Sequence, residues 1–537
     1  MSNQTTVNVH CPMAPDRCDE LLGADMVEPA VTDGSPVKWA KVIDHTKCIG
    51  CHACSTACKS ENQVPLSVNR TYVKHVDVGI FPQARRAFQV TRCNQCADAP
   101  CTHACPTSAM YARPDGIVDF DKSICIGCKA CIAACPYDAI FINPEDHSAE
   151  KCNFCAHRVD MGLEPACVVV CPTEAIIIGD LNDSTSQVAQ IVGREPVAVR
   201  RPEKETHPKL FYKGGHQVTL DPLAARRPEG GLFMWSEQGS LSHQVTSGHP
   251  GHHNSSAAAV LAYDIPHRAP WDWRLSLYTW TKGIAAGVYL IPLLLVLLGM
   301  LSPASLLWNW VAPVVAGAFL ALTGVILIAD LEHPERFYFI FARPQWRSWL
   351  VRGAFIIAGY AAVLILHFLA SFFAGGQSLQ MELMVVGLPL SALTAVYTAY
   401  LFAQATARDL WQSPLLPPHL LVQALLVGAA ALLPFATWLE PDLALPPLVW
   451  ILCTASVLHL LLVLGEVTLA HPTAHARLAA EEMTSGTFRI YFWTGVVLVL
   501  IGITTPWIGI LAVPFVLVGV LAHEHAYVQA GQVVPLA

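Results

Sequence analysis

Cysteine is concentrated in one part of this sequence, at spacings that suit metal clusters. Of the 19 cysteines, sixteen lie between Cys48 and Cys171. They form four groups: Cys48, Cys51, Cys54, Cys58; Cys93, Cys96, Cys101, Cys105; Cys125, Cys128, Cys131, Cys135; and Cys152, Cys155, Cys167, Cys171. The first and third groups have the spacing C-x2-C-x2-C-x3-C. In such a run three thiolates hold one [4Fe–4S] cube and the fourth reaches a neighbouring cube.

This spacing has a geometric basis. Three cysteines separated by pairs of residues on a tight loop can place their sulfurs at three corners of one cube, while the fourth cysteine points away. Proline follows the last cysteine of three groups, as Pro106, Pro136 and Pro172, and fixes the exit of the chain. Iron takes thiolates because they are soft ligands. We therefore expect iron–sulfur clusters.

Two other uses of these cysteines have to be weighed. A disulfide scaffold is typical of short secreted chains, whereas this chain has 537 residues and its first twenty show no export signal. Zinc sites use separated CxxC pairs, whereas two of the groups are unbroken runs of four cysteines. Both alternatives are therefore disfavoured.

Length and composition indicate a membrane protein with more than one domain. Hydrophobic residues make up 53 % of the chain and charged residues 14 %. From Trp271 onward the only lysine is Lys282, and apolar runs recur at membrane-spanning length. The net charge of −8 argues against a nucleic-acid partner. We expect membrane lipid to surround the second half of the chain.

The cysteine-rich segment contains internal repeats. Residues 44–54 read DHTKCIGCHAC and residues 121–131 read DKSICIGCKAC. Cluster-binding turns alternate with short apolar strands, so we predict an α+β ferredoxin-like iron–sulfur domain. The predicted order is a leader (1–39), the cluster domain (40–215), a flexible linker (216–270) and a membrane domain (271–537). In the leader, Cys11 and Cys18 could be extra ligands, but isolated cysteines are more often plain thiols.

Two further motifs make a resemblance to a known family specific. Residues 92–96 read RCNQC and residues 151–155 read KCNFC. With the four groups they resemble the four-cluster electron-transfer subunit of molybdopterin oxidoreductases, which include the polysulfide, DMSO and nitrate reductases. The resemblance covers roughly residues 40–215.

The resemblance implies four cluster sites that share ligands between groups. They are Cys48, Cys51, Cys54 and Cys171; Cys58, Cys152, Cys155 and Cys167; Cys93, Cys96, Cys101 and Cys135; and Cys105, Cys125, Cys128 and Cys131. All four would hold [4Fe–4S], since Cys128 stands where nitrate reductases carry tryptophan. In the family the fourth site lies nearest the membrane.

Eight apolar spans follow the linker. They run near 275–300, 308–329, 349–374, 383–404, 417–438, 446–469, 487–505 and 507–527. Each has about the length that crosses a bilayer as a helix. The last two are short and are divided by residues 504–506, which leaves seven or nine spans open. We predict an all-α polytopic membrane domain of eight helices.

Arginines fall on one side of the predicted spans. Loops on the side of the cluster domain carry Arg268, Arg274, Arg336, Arg343, Arg347, Arg352, Arg408, Arg477 and Arg489. The opposite loops offer only Glu382, Glu440 and Asp442. The positive-inside rule therefore places the cluster domain on the cytoplasmic face of the inner membrane. Docking of a partner is an alternative reason for part of this charge.

The membrane half resembles the polysulfide-reductase membrane subunit family. The residues that carry the resemblance are 330–336, DLEHPER, and 342–353, ARPQWRSWLVRG. Tyr397-Thr398 resembles the family's tyrosine–threonine motif, although Ala399 stands in place of the usual glycine. The resemblance implies eight helices, a quinone pocket among the first four, and no haem.

Ionisable groups inside the spans are costly and therefore suggest a pocket. Lys282 lies two turns into the first span, with Tyr278 one turn before it on the same face. Asp330 and His333 end the second span at a similar depth, and a quinone exchanges two protons with its two electrons. We predict a pocket in which Tyr278, Lys282 and Tyr397 bind menaquinone or ubiquinone. Lys282, Asp330, His333 and Tyr397 would act on the quinone. Snorkelling of Lys282 to the interface is the plainer alternative.

Other polar residues in the spans carry weaker signals. His367 and His459 lie mid-span and could ligate haem b, but buried hydrogen-bonded histidines are commoner. Glu466 either belongs to a proton route or marks the end of the sixth span.

Together these features predict an electron-transfer and membrane-anchor subunit of a quinone-linked respiratory molybdopterin oxidoreductase. Electrons would pass through four [4Fe–4S] clusters between a separate molybdopterin-containing catalytic subunit and the membrane quinone pool. No molybdopterin-binding domain is recognisable here, so the substrate chemistry is expected in another chain. A second hypothesis is the iron–sulfur and quinone module of a proton-translocating assembly similar to alternative complex III. A third is a ferredoxin-like electron store tethered to the membrane.

Overall fold

The structure is a computed structural model that describes residues 36–79, 82–225, 259–373 and 375–537. Most of the predicted leader, with Cys11 and Cys18, and the middle of the predicted linker lie outside the described residues. The two halves of the chain have different architectures, and each is described in turn.

The first half is an α+β unit of short elements. Its strands, with the last strand of the chain, are β1 (Trp39–Asp44), β2 (Thr71–Val78), β3 (Arg85–Arg92), β4 (Met110–Ala112), β5 (Val118–Phe120), β6 (Ile140–Ile142), β7 (Ala149–Lys151), β8 (Ile176–Asp180), β9 (Val197–Ala198), β10 (Leu210–Lys213) and β11 (Val260–Tyr263). Its helices are α1 (Ala53–Glu61), α2 (Pro100–Ala104), α3 (Ala130–Ala134), α4 (Ala156–Val159), α5 (Ala166–Val169), α6 (Gln187–Arg194) and α7 (Gln217–Leu220).

Four small sheets support the cysteine loops. The largest has the order β8-β1-β10-β9, in which β1 runs parallel to β10 and antiparallel to β8. A second sheet has the order β11-β2-β3, and β4-β5 and β6-β7 are two-stranded hairpins. Because β11 pairs with β2, the end of the predicted linker is an edge strand of the cluster domain.

The second half is a bundle of long apolar helices. They are α8 (Trp273–Leu297), α9 (Leu307–Ala329), α11 (Trp349–Ala370), α12 (Gly376–Gln404), α13 (Leu416–Leu439), α14 (Leu445–Thr468) and α17 (Thr505–Val533). The shorter helices between them are α10 (Phe339–Ala342), α15 (Ala474–Thr484) and α16 (Arg489–Ile503). The all-α polytopic fold predicted from the sequence is confirmed.

The number of spans depends on the seventh. Seven helices in the described residues are long and apolar enough to cross a membrane. The next candidate is α16, whose 15 residues measure only about 22 Å. It follows α15 with a bend of 69°, and the pair counts as an eighth span if taken together. The predicted eight spans and the alternative of seven therefore differ only in this broken helix.

Small residues let the first span approach its neighbour closely. A Cβ atom on Gly287 of α8 would lie 1.8 Å from the backbone oxygen of Ala424 in α13. Likewise, a Cβ atom on Gly428 would lie 2.4 Å from the backbone of Gly287. Two helices can touch in this way only where side chains are absent. The contact fixes α8 against α13.

Loops of the membrane half dock onto the cysteine loops. The backbone nitrogens of Glu332 and His333 donate to the carbonyl oxygens of Gly127 (3.4 Å) and Ile126 (3.3 Å). Arg336 donates to the carbonyl of Cys125 at 3.0 Å. The two halves therefore form one packed unit around the third cysteine group.

A histidine holds the connecting segment to the cluster domain. His267 is buried, and its Nδ1 pairs with Asp138 while its Nε2 lies 3.3 Å from Asp264. Burial lowers the pKa of His267, but the charges of Asp264 and Asp138 outweigh it and raise the pKa to about 9. The imidazolium is therefore a charged link between two carboxylates.

This link predicts a pH-dependent stability. Because the folded pKa is raised above the unfolded value of 6.5, the stabilisation is complete below pH 6.5 and is lost as pH rises through about 9. The loss should be on the order of 3 kcal/mol in free energy of unfolding. Thermal unfolding of the detergent-solubilised chain at several pH values measures it. His267→Gln should flatten this part of the profile, and an unchanged slope in the variant would contradict the assignment.

Candidate functional site: cysteine tetrads and a buried polar group

The structure gathers the sixteen cysteines into the four sets that the resemblance implied. Three sets each line one small cavity: Cys48, Cys51, Cys54 and Cys171; Cys58, Cys152, Cys155 and Cys167; and Cys105, Cys125, Cys128 and Cys131. In the remaining set, Cys101 lies close enough to Cys93, Cys96 and Cys135 to interact with their charges. We call the set that contains Cys48 tetrad one, the set that contains Cys58 tetrad two, the set that contains Cys93 tetrad three and the set that contains Cys105 tetrad four. Cluster ligation by them stays a prediction.

Sulfur spacing within the tetrads suits a cluster better than a single ion. In the described part of the chain, no three cysteine sulfurs all lie within 4.8 Å of one another. A zinc ion with Zn–S bonds of about 2.3 Å would bring its four sulfurs to about 3.8 Å apart. The donor set is all thiol, the sulfur spacing is wider, and three of the four sets each line a cavity. These features fit a [4Fe–4S] cube, which binds one thiolate at each corner.

The two sequence repeats adopt the same backbone conformation. Gly50 and Gly127 have φ values of 69° and 67°, and His52 and Lys129, two residues later, have 62° and 63°. The left-handed residues curl each loop so that successive cysteines face one cavity, and α1 and α3 begin immediately afterwards. The repeat in sequence is therefore a repeat in cluster-binding geometry.

Tetrad two has a positively charged lining. Arg92 donates to Cys167 Sγ at 3.1 Å, and Lys41 Nζ lies 3.7 Å from the same sulfur, although both cations are buried. Burial raises the pKa of Cys167, but the charges of Lys41 and Arg92 outweigh it and lower the pKa to about 7. Asn62 Nδ2 also lies 3.6 Å from Cys58 Sγ. These donors stabilise thiolates.

Neighbouring tetrads lie side by side in the order of their numbers. Cys54 of tetrad one interacts with the charge of Cys167 of tetrad two. In the same way, Cys93 of tetrad three interacts with Cys152 of tetrad two. Between tetrads four and three the interacting pair is Cys131 and Cys101. The four sets therefore form a row.

Tetrad four contacts the membrane half directly. Trp271 Nε1 donates to the carbonyl of Cys128 at 3.2 Å. Lys129 Nζ lies 3.0 Å from Glu332 and 3.8 Å from Asp330 Oδ1. Burial raises the pKa of Asp330 to about 6, although Lys129 opposes this. The end of the row therefore lies at the membrane-facing surface of the cluster domain.

Ligand sharing can be tested by removing Cys105 and Cys131 together. If each belongs to tetrad four, Cys105→Ala with Cys131→Ala should remove about four of about sixteen irons, because only one cluster loses ligands. If instead each cysteine group held its own cluster, two clusters would be damaged and about eight irons lost. Iron analysis of the purified chain distinguishes the outcomes.

A matched control is available in the membrane half. Cys453 Sγ donates to the backbone oxygen of Ile503 at 3.4 Å and lies outside all four tetrads. Cys453→Ala should therefore keep the full iron content.

A second group of polar side chains lies inside the bundle. Tyr278 Oη donates to Tyr397 Oη and lies 2.6 Å from both this oxygen and Thr398 Oγ1. Lys282 Nζ donates to Thr398 Oγ1 at 2.6 Å and to the Ala395 carbonyl at 2.9 Å. The ammonium also lies 4.9 Å from the centre of the Tyr397 ring. The structure thus brings together three of the five predicted quinone-site residues.

Lys282 faces an acidic residue that the sequence patterns do not single out. Lys282 and Glu524 line one small cavity with Thr279 and Gln423. Thr279 Oγ1 donates to Glu524 Oε2 at 3.0 Å. Lys282 is buried rather than extended toward the interface, so snorkelling does not describe it. The signal that could have revealed Glu524 is its charge within the last apolar span.

Asp330 and His333 lie in a different place. The loop after α9 turns toward the cluster domain, so Asp330 contacts Lys129. His333 Nε2 lies 2.9 Å from the carbonyl of Asp146, and its Nδ1 lies 2.9 Å from Glu335. Among the hydrogen bonds and ion pairs of the described residues, none joins these two side chains to Lys282 or to the tyrosines.

The two mid-span histidines considered as haem ligands are not neighbours. His367 Nδ1 lies 3.1 Å from Tyr289 Oη, and its ring packs against Trp308. His459 Nδ1 lies 2.9 Å from His419 Nε2. His367 and His459 therefore lie in separate groups of side chains and are not placed to ligate one haem together.

A domain of [4Fe–4S] type joined to a polytopic helical anchor defines an electron-transfer subunit of an oxidoreductase complex. Residues 84–181 match the family described as 4Fe-4S dicluster domain, and residues 264–536 match the family described as Polysulphide reductase, NrfD. In its membrane half this protein belongs to the polysulphide reductase NrfD family, and that half is fused to the iron–sulfur domain. It is therefore a multi-pass membrane protein.

Three curated relatives each match about a third of this chain or slightly more. The B component of tetrathionate reductase from Salmonella typhimurium is 40 % identical over 218 residues, which cover 39 % of this chain and 84 % of the relative. The B component of polysulfide reductase from Wolinella succinogenes is 42 % identical over 177 residues, 32 % of this chain and 93 % of the relative. The arsenate respiratory reductase iron-sulfur subunit ArrB of Shewanella sp. is 35 % identical over 224 residues, 33 % of this chain and 96 % of the relative.

Proposed function

We propose that this chain carries electrons between a separate molybdopterin-containing catalytic subunit and membrane quinone, through four [4Fe–4S] clusters. One observation carries the proposal: the helices that carry cysteines of tetrads three and four share one buried hydrophobic core with the tyrosine pair Tyr278 and Tyr397. Ala104 of α2 and Ala130, Ala133 and Ala134 of α3 pack in a continuous hydrophobic core with Tyr278 and Tyr397. When bound, the clusters would supply single-electron transfer along the row of tetrads.

The opposite end of the row supports docking of a catalytic subunit there. In tetrad one Cys51 is exposed, in contrast to the buried cysteines of tetrad three. Apolar side chains are also exposed in this half, with Ile49 57 %, Leu66 86 % and Val169 59 % accessible. Large apolar side chains with this much exposure are candidates for burial in a protein interface. The proposed partner would cover this end and exchange electrons with tetrad one.

The polar group in the membrane supports a quinone site. A quinone takes up two electrons and two protons when it is reduced, so its pocket needs hydrogen-bond donors and a proton source. Tyr278, Tyr397 and Lys282 supply donors in a buried setting, and Glu524 next to Lys282 can exchange protons with it. Asp330 and His333 are proposed to pass protons at the domain interface rather than to touch the quinone ring.

Variants of the polar group test the quinone site. Lys282→Ala and Tyr397→Phe should each slow quinone-linked turnover tenfold or more, which corresponds to about 1.4 kcal/mol of activation free energy. The iron content should stay unchanged. Turnover is measured as quinol-dependent reduction of the clusters, followed by their EPR signals. Tyr289→Phe is the control. Tyr289 is a buried tyrosine in α8, the helix that also holds Lys282, but its hydroxyl pairs with His367.

The outcomes for the two variants decide whether these residues belong to the quinone site. Normal turnover in both variants would remove these residues from it. Loss of iron in Lys282→Ala would show a folding defect rather than a quinone defect, in which case Tyr397→Phe decides.

The metal and haem content of the purified complex tests the identity of the catalytic partner. A complex purified from membranes should contain molybdenum and no c-type haem, whereas an assembly similar to alternative complex III would contain c-type haem and no molybdenum.

Because arginines such as Arg336 and Arg343 lie on the face of the cluster domain, this face should be cytoplasmic. Protease should therefore digest the catalytic subunit in inside-out vesicles and spare it in right-side-out vesicles; the reverse pattern would refute the orientation.

A further inference from the structure

Three histidines from three helices meet inside the membrane bundle. His419 lies in α13, His459 in α14 and His523 in α17. One ring nitrogen from each lies within 4.8 Å of the other two. In the described part of the chain this is the only group of three or more histidine, cysteine or acidic ligand atoms that lie so close together. All three histidine residues are 1 % exposed. Separate helices that converge on one point form the usual frame of a metal site in a helical bundle.

A carboxylate orients one of the rings. Glu466 Oε1 lies 3.2 Å from His419 Nδ1, and Glu466 is buried in α14. With Nδ1 donating to this carboxylate, the lone pair of His419 Nε2 faces the other rings, and His459 Nδ1 lies 2.9 Å from it. A metal-bound histidine almost always donates its other ring N–H to a carboxylate or carbonyl. The Glu466–His419 pair has this arrangement.

Two buried polar atoms in the cluster have no hydrogen-bond partner in the described residues. They are His523 Nδ1 and Glu466 Oε2. An unpaired polar atom in a membrane interior is costly, because no bulk water is present to satisfy it. A cation bound between the rings would compensate the carboxylate of Glu466.

The local charge also favours a cation. Glu466 and Glu524 are both buried, and Glu524 is the residue after His523. The membrane half carries one lysine, Lys282, and it faces Glu524. A divalent cation at the histidines would balance the second carboxylate.

We propose that His419, His459 and His523 bind a divalent zinc-class cation, with Glu466 as the outer partner of His419. Zinc held by imidazoles at about 2.0–2.1 Å places the nitrogens about 3.3 Å apart, so a contraction of at most about 1.5 Å closes the site. The centres of the three rings lie 4.9, 5.4 and 5.0 Å apart, which leaves no space for a porphyrin between them. The ion would fasten α13, α14 and α17 together, and water would take its fourth position.

Zinc analysis of the purified, detergent-solubilised full chain tests the site. About one zinc per chain should remain after dialysis against a weak chelator, in addition to the iron. X-ray absorption at the zinc edge should show nitrogen neighbours at about 2.0–2.1 Å. Sulfur neighbours at about 2.3 Å alone would mean that zinc had entered incomplete cysteine tetrads, and would overturn the proposal. Absence of zinc would overturn it as well.

Variants sharpen the assignment. His523→Ala should abolish zinc retention, and Glu466→Gln should weaken zinc affinity 10–100-fold in chelator competition, as is usual for outer partners. His367→Ala is the matched control, because His367 is an equally buried histidine outside the cluster. Equal zinc in His523→Ala and the native chain would overturn the proposal. The measurement on the native chain keeps it falsifiable if a variant fails to fold.

Discussion

Buried sulfur charge is the constraint on which the first half depends. Sixteen thiols are packed into a small domain, and most of them are buried. Burial raises the pKa of Cys54 to about 11, with Cys167 adding to the effect, whereas the charges of Lys41 and Arg92 lower the pKa of Cys167 to about 7. Metal binding and a few buried cations such as Arg92 must supply the compensation. We therefore expect folding and cluster assembly to be coupled in this domain.

The two halves of the chain meet at the loop of the third cysteine group. Two backbone carbonyls of this loop accept hydrogen bonds from the membrane half. Arg336 donates to Cys125 and Trp271 donates to Cys128, so membrane-half side chains satisfy them. The anchor is consequently part of the environment of tetrad four, and the two halves cannot be understood as independent modules.

The sequence is informative where chemistry is local. The spacing of the cysteines predicts clusters, and apolar length predicts most of the spans within a few residues. The helix α12 begins at Gly376 rather than near 383, because Gln380 and Glu382 hide its first turns. The short strand β11 falls within the predicted linker, since its pairing with β2 joins residues more than 180 positions apart and leaves no local signal.

The interior of the membrane bundle is harder to predict. Its helices are apolar on every side, so hydrophobic periodicity does not reveal which face turns inward. Lys282 and Tyr397 stand out as a charge and a motif, and Glu524 is likewise a charge within an apolar span. Only the helix packing shows that Glu524 faces Lys282 and that His419 and His523 meet. From their predicted depth in the membrane, Asp330 and Lys282 are expected to lie together. In the structure the loop after α9 turns toward the cluster domain and separates them.

The edge strand β11 has a consequence for how the protein works. It pairs with β2 beside tetrad one, where Tyr263 packs against His52, and ten residues later α8 enters the membrane at Trp273. The connection is therefore short and anchored at both ends. The cluster domain and the proposed quinone site therefore never separate, and no encounter step of the kind that limits exchange between freely diffusing redox proteins is needed. We expect electron transfer between them to be independent of protein concentration.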